Sequence, residues 1–214
     1  MTIRALRQYL EQLSSSGIRE LYLPQVDKGA LLNDLQARYS TCAKCPLALG
    51  RIKFVYGEGN PEAIAMIIGE GPGDQENRTG RPFVGEAGKL LDRMLAAINI
   101  QREEVYIANI VKCRPPGNRN PESAERQACL PYLLEQIWII KPRLFLMLGL
   151  VAAQTLLESR LSMENLRRQT HLFQGIKTYV TYHPAALLRN PHWKRPAWED
   201  LQRFQKDYEA LTKV

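Results

Sequence analysis

The sequence predicts an α/β fold, a three-layer α/β/α sandwich around a central, mostly parallel four-stranded sheet. Two observations carry that expectation: short apolar runs alternate with longer segments of helical period, and the glycine- and proline-rich loops fall where those runs end. Ala63 to Ile68 is a continuous apolar run halted at Gly69, as expected of a strand covered on both faces. Val105 to Val111, Leu144 to Leu148 and Ile176 to Thr181 are the other strands. Between them, Glu86 to Ile98 reads as a helix burying Leu90, Leu91, Met94, Leu95 and Ile98. Glu122 to Ile140 and Val151 to Glu158 are helical as well, the former with Asn120 as its cap and Pro121 in its first turn. Trp198 to Leu211 closes the chain.

Upstream, Thr2 to Leu13 places Ile3, Leu6, Leu10 and Leu13 at helical spacing, Ser14 to Gly17 ends that segment, and Leu31 to Tyr39 is a further helix. The 214 residues suffice for one core, and dividing them between two large domains would leave both thin. A single domain over 1–214 with a helical N-terminal extension at about 1–28 is therefore expected. No apolar run approaches the length that crosses a bilayer, so a soluble cytoplasmic protein without membrane contact is expected. Lys and Arg number 29 against 22 Asp and Glu, a balance that favours polyanionic partners without specifying one.

The cysteines form two unequal pairs, Cys42 with Cys45 and Cys113 with Cys129. A reducing compartment disfavours disulfides, and the two-residue gap lets both sulfurs of the first pair reach one centre, with Pro46 stiffening the turn. Four thiolates can hold tetrahedral zinc or a [4Fe-4S] cluster, and spacing does not separate the two.

The remaining polar motifs sit at predicted strand ends, where an α/β sheet opens its ligand crevice. In Gly69 to Gly88 the spacing fits neither a phosphate-binding loop nor a dinucleotide fingerprint. Gly71 and Gly73 permit close backbone approach to a ligand, and Glu70 and Glu76 are candidates to face the crevice. Phe83, in a polar stretch, needs a packing partner, and a planar base is one. Asn109 lies within a strand, and its acceptor and donors match the edge of a pyrimidine. His183 at a strand end can donate where negative charge develops. After it, Pro184, Leu187 and Leu188 form an apolar tip with Arg189, Lys194 and Arg195 as phosphate partners, while Trp193 and Trp198 anchor the last helix.

Taken together, GEGPG at 69–73, GRPFVGEAG at 80–88, NIVKCRPPGNRNP at 109–121 and YHPAALLR at 182–189 resemble the iron-sulfur family 4 uracil-DNA glycosylases. The likeness, cysteine spacing included, covers about 38–205. It implies a structural [4Fe-4S] cluster on Cys42, Cys45, Cys113 and Cys129, and a monofunctional base-excision repair hydrolase that releases uracil from single- or double-stranded DNA without a lyase step. It further implies that Phe83 stacks on a flipped uracil, Asn109 pairs with its O4 and N3-H edge, and His183 donates toward O2. Glu70 would polarise or position the attacking water, and Glu76 would exclude the thymine methyl. Family 1 enzymes carry an aspartate where Gly71 stands, so no side chain here replaces that group.

Two other readings remain at this point. One is a family 5-like glycosylase of broader base preference; the other is a non-catalytic zinc or iron-sulfur DNA-binding module. A monomer is the simpler expectation, since one flipped base needs one pocket, and the short extended ends leave room for a sliding-clamp contact without committing a residue to it.

Overall fold

The computed structural model of the chain describes residues 3–17 and 26–213. Part of the expected N-terminal extension, and the apolar face expected at Ile3, Leu6 and Leu10, lie outside the described residues and side chains. The elements run α1 (Ile3–Ser15), α2 (Lys28–Tyr39), β1 (Glu58–Gly59), β2 (Ala65–Gly69), α3 (Asp74–Thr79), α4 (Glu86–Ala96) and β3 (Tyr106–Asn109). They continue with α5 (Ser123–Ile140), β4 (Leu144–Leu148), α6 (Leu150–Leu156), α7 (Met163–Arg167), β5 (His171–Phe173), β6 (Ile176–Thr181), α8 (Pro184–Arg189) and α9 (Lys194–Thr212).

Among the described residues the strands form one sheet in the order β1-β3-β2-β4-β6-β5. The four central strands pair in parallel, as the continuous apolar runs predict. Alternation along each strand divides the core between the two faces. Met66, Ile68, Phe145 and Met147 pack with Tyr132, Leu133 and Ile137 of α5, whereas Ala65, Ile67, Leu144 and Leu146 pack with Leu91 and Leu95 of α4 and Leu201 and Phe204 of α9. From β2 the chain goes to β3 on one side, then crosses to β4 on the other. That reversal opens a crevice outside the carboxyl ends of β2 and β4.

The expected four-stranded sheet is corrected to six mixed strands. Both additions are antiparallel edges, β1 on β3 and β5 on β6. β1 is two residues long and carries no period to read. β5 joins β6 through Gln174 and Gly175, both at positive φ, the geometry of a two-residue hairpin turn. The cap of α5 is also corrected: Glu122 occupies it, not Asn120. Buried Glu125 accepts the Glu122 amide at 2.7 Å and pairs with Arg119 at 2.7 Å, which fixes the helix start at Ser123.

Candidate active site

Two parallel strand ends form the floor of the crevice. Gly69 of β2 and Asn109 of β3 are register partners. A Cβ on Gly69 would lie 2.5 Å from Asn109 Oδ1 and 2.5 Å from the Phe83 ring, so only glycine lets the carboxamide and the ring converge there. Asn109 is 1% exposed, and its Oδ1 has no hydrogen-bond partner among the described residues. A buried acceptor left unpaired carries a desolvation cost of about 1–3 kcal/mol, which a ligand donor would relieve.

The loop after β2 carries the acids. Glu70 follows the strand directly and is half-buried; burial raises its carboxyl above the ordinary range, against an opposing pull from Arg126. At Gly71 a Cβ would meet Val111 Cγ2 at 2.7 Å, so the backbone leaves no room for a side chain without displacing Val111. Glu76 is buried and accepts from the amides of Gly73 (3.0 Å), Val84 (2.9 Å) and Gly85 (2.9 Å). It thus clasps the beginning of the glycine-rich segment to its end. Both carboxylate oxygens are thus engaged with main chain.

Phe83 sits between those clasped amides and α4 with φ 51°, a left-handed conformation that bulky residues avoid. Its carbonyl lies so near α4 that a Cβ on Gly88 would come within 1.9 Å of it. The ring is buried and faces His183, with centroids 5.5 Å apart and planes inclined by 32°.

His183 ends the turn after β6 and caps α8. The Ala185 amide donates to its Nδ1 at 3.2 Å, so in the neutral ring the proton resides on Nε2. Burial, reinforced by Arg189 and opposed by Glu76, lowers its pKa to about 4. The imidazole is therefore neutral at physiological pH, with Nε2-H as its donor. Gly149 at the end of β4, with φ 88°, approaches His183 so closely that a Cβ would lie 3.0 Å from that of the histidine. Gly69, Gly88 and Gly149 were not singled out as site residues from sequence, because their neighbours come from distant segments.

Beyond His183, Leu188 is exposed at the tip of α8, and Arg189, Lys194 and Arg195 are exposed after it. Leu187 and Pro184 differ from expectation: both are buried, and Leu187 packs in the core shared with α4 and α9. Both lie beneath the exposed Leu188 at the start and core-facing side of the short helix α8. Trp193 stacks on Tyr182 at 4.8 Å, which ties the start of α9 to the end of β6. Trp198 lines an apolar groove with Leu90, Met94 and Leu187, consistent with anchoring.

The four cysteines are free thiols lining one hollow, together with Leu47, Phe54 and Tyr132. Several donors face the sulfurs: Tyr132 Oη to Cys42 at 3.0 Å, the Lys112 amide to Cys129 at 3.2 Å and Arg51 to Cys113 at 3.4 Å. Burial raises the Cys113 thiol and pushes Cys129 up to about 12, so an added positive centre is needed to make them thiolates at neutral pH. Among the described residues no three His, Cys, Asp or Glu side chains converge tightly enough to hold a single metal ion.

The cysteine hollow also connects to the glycine-rich segment after β2. Asn77 of α3, buried, accepts the Ile52 amide on Oδ1 at 3.0 Å, and its carbonyl accepts the Lys53 amide at 3.0 Å. The segment after Cys45 is thereby laced to the helix that carries Glu76. No sequence signal distinguished Asn77 from a surface amide.

These side chains gather at the strand ends of a doubly wound sheet, and residues 56–202 match the Uracil DNA glycosylase superfamily. The type-4 uracil-DNA glycosylase of Pyrobaculum aerophilum is 42% identical over 181 residues, covering 81% of this chain and 92% of its own. That of Thermotoga maritima is 42% identical over 177 residues, with 81% and 92% covered. A type-5 uracil-DNA glycosylase of Pyrobaculum aerophilum is more distant, 27% identical over 188 residues, with 72% and 83% covered. The chain belongs to the type-4 family of uracil-DNA glycosylases.

Proposed function

We propose that this protein is a DNA-repair glycosylase that hydrolyses the N-glycosidic bond of deoxyuridine in DNA, releasing uracil and leaving an abasic site. The observation that carries this reading is the unpartnered Asn109 Oδ1, buried beside the Phe83 ring. A flipped uracil supplies what that atom lacks: N3-H donates to Oδ1, O4 accepts from Nδ2, and the ring stacks on Phe83. The N1–C1′ bond breaks with its electron pair moving to the base. His183 Nε2-H donates toward O2, where the negative charge appears.

Water then bonds to C1′, and Glu70, the acid directly beyond β2, orients it and takes its proton. The raised Glu70 carboxyl makes it a better base than an exposed glutamate. Gly71 leaves no competing acid at the next position. Glu76, immobilised by three amides, forms a fixed wall that excludes the C5 methyl of thymine. Leu188 wedges into the strand as the base leaves the stack, and Arg189, Lys194 and Arg195 neutralise phosphates.

Cys42, Cys45, Cys113 and Cys129 would hold a [4Fe-4S] cluster, whose contribution is to bind the segment after Cys45 and the β3 exit into one frame. Four cysteines lining one hollow supply the ligand number such a cluster takes, and the donors facing Cys42, Cys113 and Cys129 would steady its thiolates.

The test is excision on labelled single-stranded and duplex oligonucleotides carrying U, T or hypoxanthine, read as alkali-labile scission. Uracil-dependent scission alone is expected. Binding without scission would support the non-catalytic module, and scission at hypoxanthine would support the broader type-5-like preference.

A further inference from the structure

The strained residue that faces the base does not hold itself in place. Phe83 has a left-handed backbone, and its carbonyl is pressed against Gly88. Arg102, in the short turn Arg102–Glu104 before β3, reaches across to this segment and is largely buried. Its guanidinium donates from Nη2 to the Pro82 carbonyl at 2.6 Å and from Nη1 to the Phe83 carbonyl at 3.2 Å. The remaining donors go to carboxylates: Nη1 to Asp92 at 2.9 Å, Nη2 to Glu58 at 2.7 Å and Nε to Glu58 at 3.3 Å. A guanidinium has five N-H donors in a rigid fork, and each has a partner here.

Glu58 also accepts from Arg81, at 2.8 and 3.1 Å, so the same carboxylate holds the chain two residues before Phe83. Burial pushes the Glu58 carboxyl up, but the hydrogen bonds of Arg81 and Arg102 outweigh it and keep the group ionised. The segment 81–85 is therefore gripped from both sides. Glu76 takes the amides after Phe83, and Arg102 takes the carbonyls at and before it.

We propose that Arg102 is a positioning residue for base excision: it fixes the Phe83 backbone in its left-handed state so that the ring meets the extruded base. It acts through Phe83 and touches neither the base nor the sugar. This inference rests on the uracil-excision reading, and its chemistry is a matter of orientation, in which a displacement of about 1 Å can cost about 100-fold in rate.

The experiment is a double-mutant cycle in single-turnover uracil excision, comparing the whole protein with Arg102→Gln, Phe83→Ala and the pair. Arg102→Gln is expected to slow excision by about 10- to 100-fold, and to cost nothing further once Phe83 is alanine. Arg102→Lys keeps a positive charge beside Glu58 and Asp92 but loses the planar fork that also spans two carbonyls. It is expected to fold and remain slow, again only while Phe83 is present, and it carries the test if the glutamine variant does not fold. Losses that multiply in the double variants, or full rescue by lysine, would overturn the proposal and leave Arg102 an ordinary ion-pair residue. Absence of uracil excision by the unaltered protein would instead overturn the function on which the proposal rests.

Discussion

The Phe83 ring and the His183 imidazole face each other across 5.5 Å, one delivered by the strained connection between α3 and α4 and the other by the turn after β6. Their juxtaposition places a stacking surface beside a neutral donor, and a base held by the first is presented to the second. His183→Ala removes a donor aimed at developing charge, and the expected loss in excision rate is about 100- to 1000-fold. Single-turnover measurement at saturating enzyme checks this, with substrate binding expected to change far less than the rate.

Glu70 and His183 give opposite pKa shifts a joint consequence. Burial raises the Glu70 carboxyl, which acts ionised in the proposed reaction, and lowers His183 to about 4, which leaves it a neutral donor at physiological pH. As pH falls through the raised Glu70 titration, kcat/KM is therefore expected to decline. Glu70→Gln is expected to slow excision much more than it weakens binding of abasic product, and to abolish the upper acid limb. A pH–rate profile of both proteins decides it; an unchanged limb would remove Glu70 from water activation.

Cys113 and Cys129 are buried, and burial holds both as thiols unless a bound positive centre draws off their protons. Cys113→Ser is expected to lose iron, lower the thermal midpoint and lose activity through the fold. Iron quantification with about four atoms per chain in the parent protein, together with visible absorbance and Tm, checks it. A folded, fully active variant without cluster absorbance would contradict the assigned role.

Asp200 is wholly buried and accepts from Arg167 at 2.9 Å, Thr181 at 2.9 Å and Arg203 at 2.7 Å, tying α9 to β6 and α7. Removing one member of such a network leaves the other charges uncompensated. Asp200→Ala is expected to cost about 3–5 kcal/mol in denaturant unfolding, and a cost below about 1 kcal/mol would be characteristic of an exposed pair instead.

The central fold was readable where periodicity was strong. β4 falls on Leu144–Leu148 as its unbroken apolar run predicts, because a strand buried on both faces leaves that signature, and β6 falls on the expected Ile176–Thr181. The edge strands were hidden for the opposite reason. β1 has two residues, and β5 is half-buried with His171 and Leu172 out of any clean alternation. The Gln174-Gly175 pair between Phe173 and Ile176 was a usable hairpin signal, since glycine supplies one of the two positive φ angles.

At the site, chemistry-bearing side chains were legible and their supports were not. Asn109, Phe83 and His183 stood out as polar or aromatic residues at strand ends or in a glycine-bounded loop. Arg102, Asn77 and Gly69 did not, because each acts on atoms remote in sequence. The same blindness affected Leu187 and Leu188: adjacent leucines on a short helix look alike in sequence, and only packing against α4 sends one into the core.

The most direct test concerns Asn109, the group whose unpaired oxygen gives the pocket its meaning. Single-turnover release of uracil from a U-containing single strand is measured for the parent protein and Asn109→Leu, with thermal unfolding recorded alongside. The leucine variant is expected to lose about 10- to 1000-fold in excision, through two missing hydrogen bonds and an unsatisfied base edge, while its Tm is unchanged or higher because an unpaired buried acceptor is gone. Equal excision rates in the two proteins, or no uracil release by either, would contradict the account.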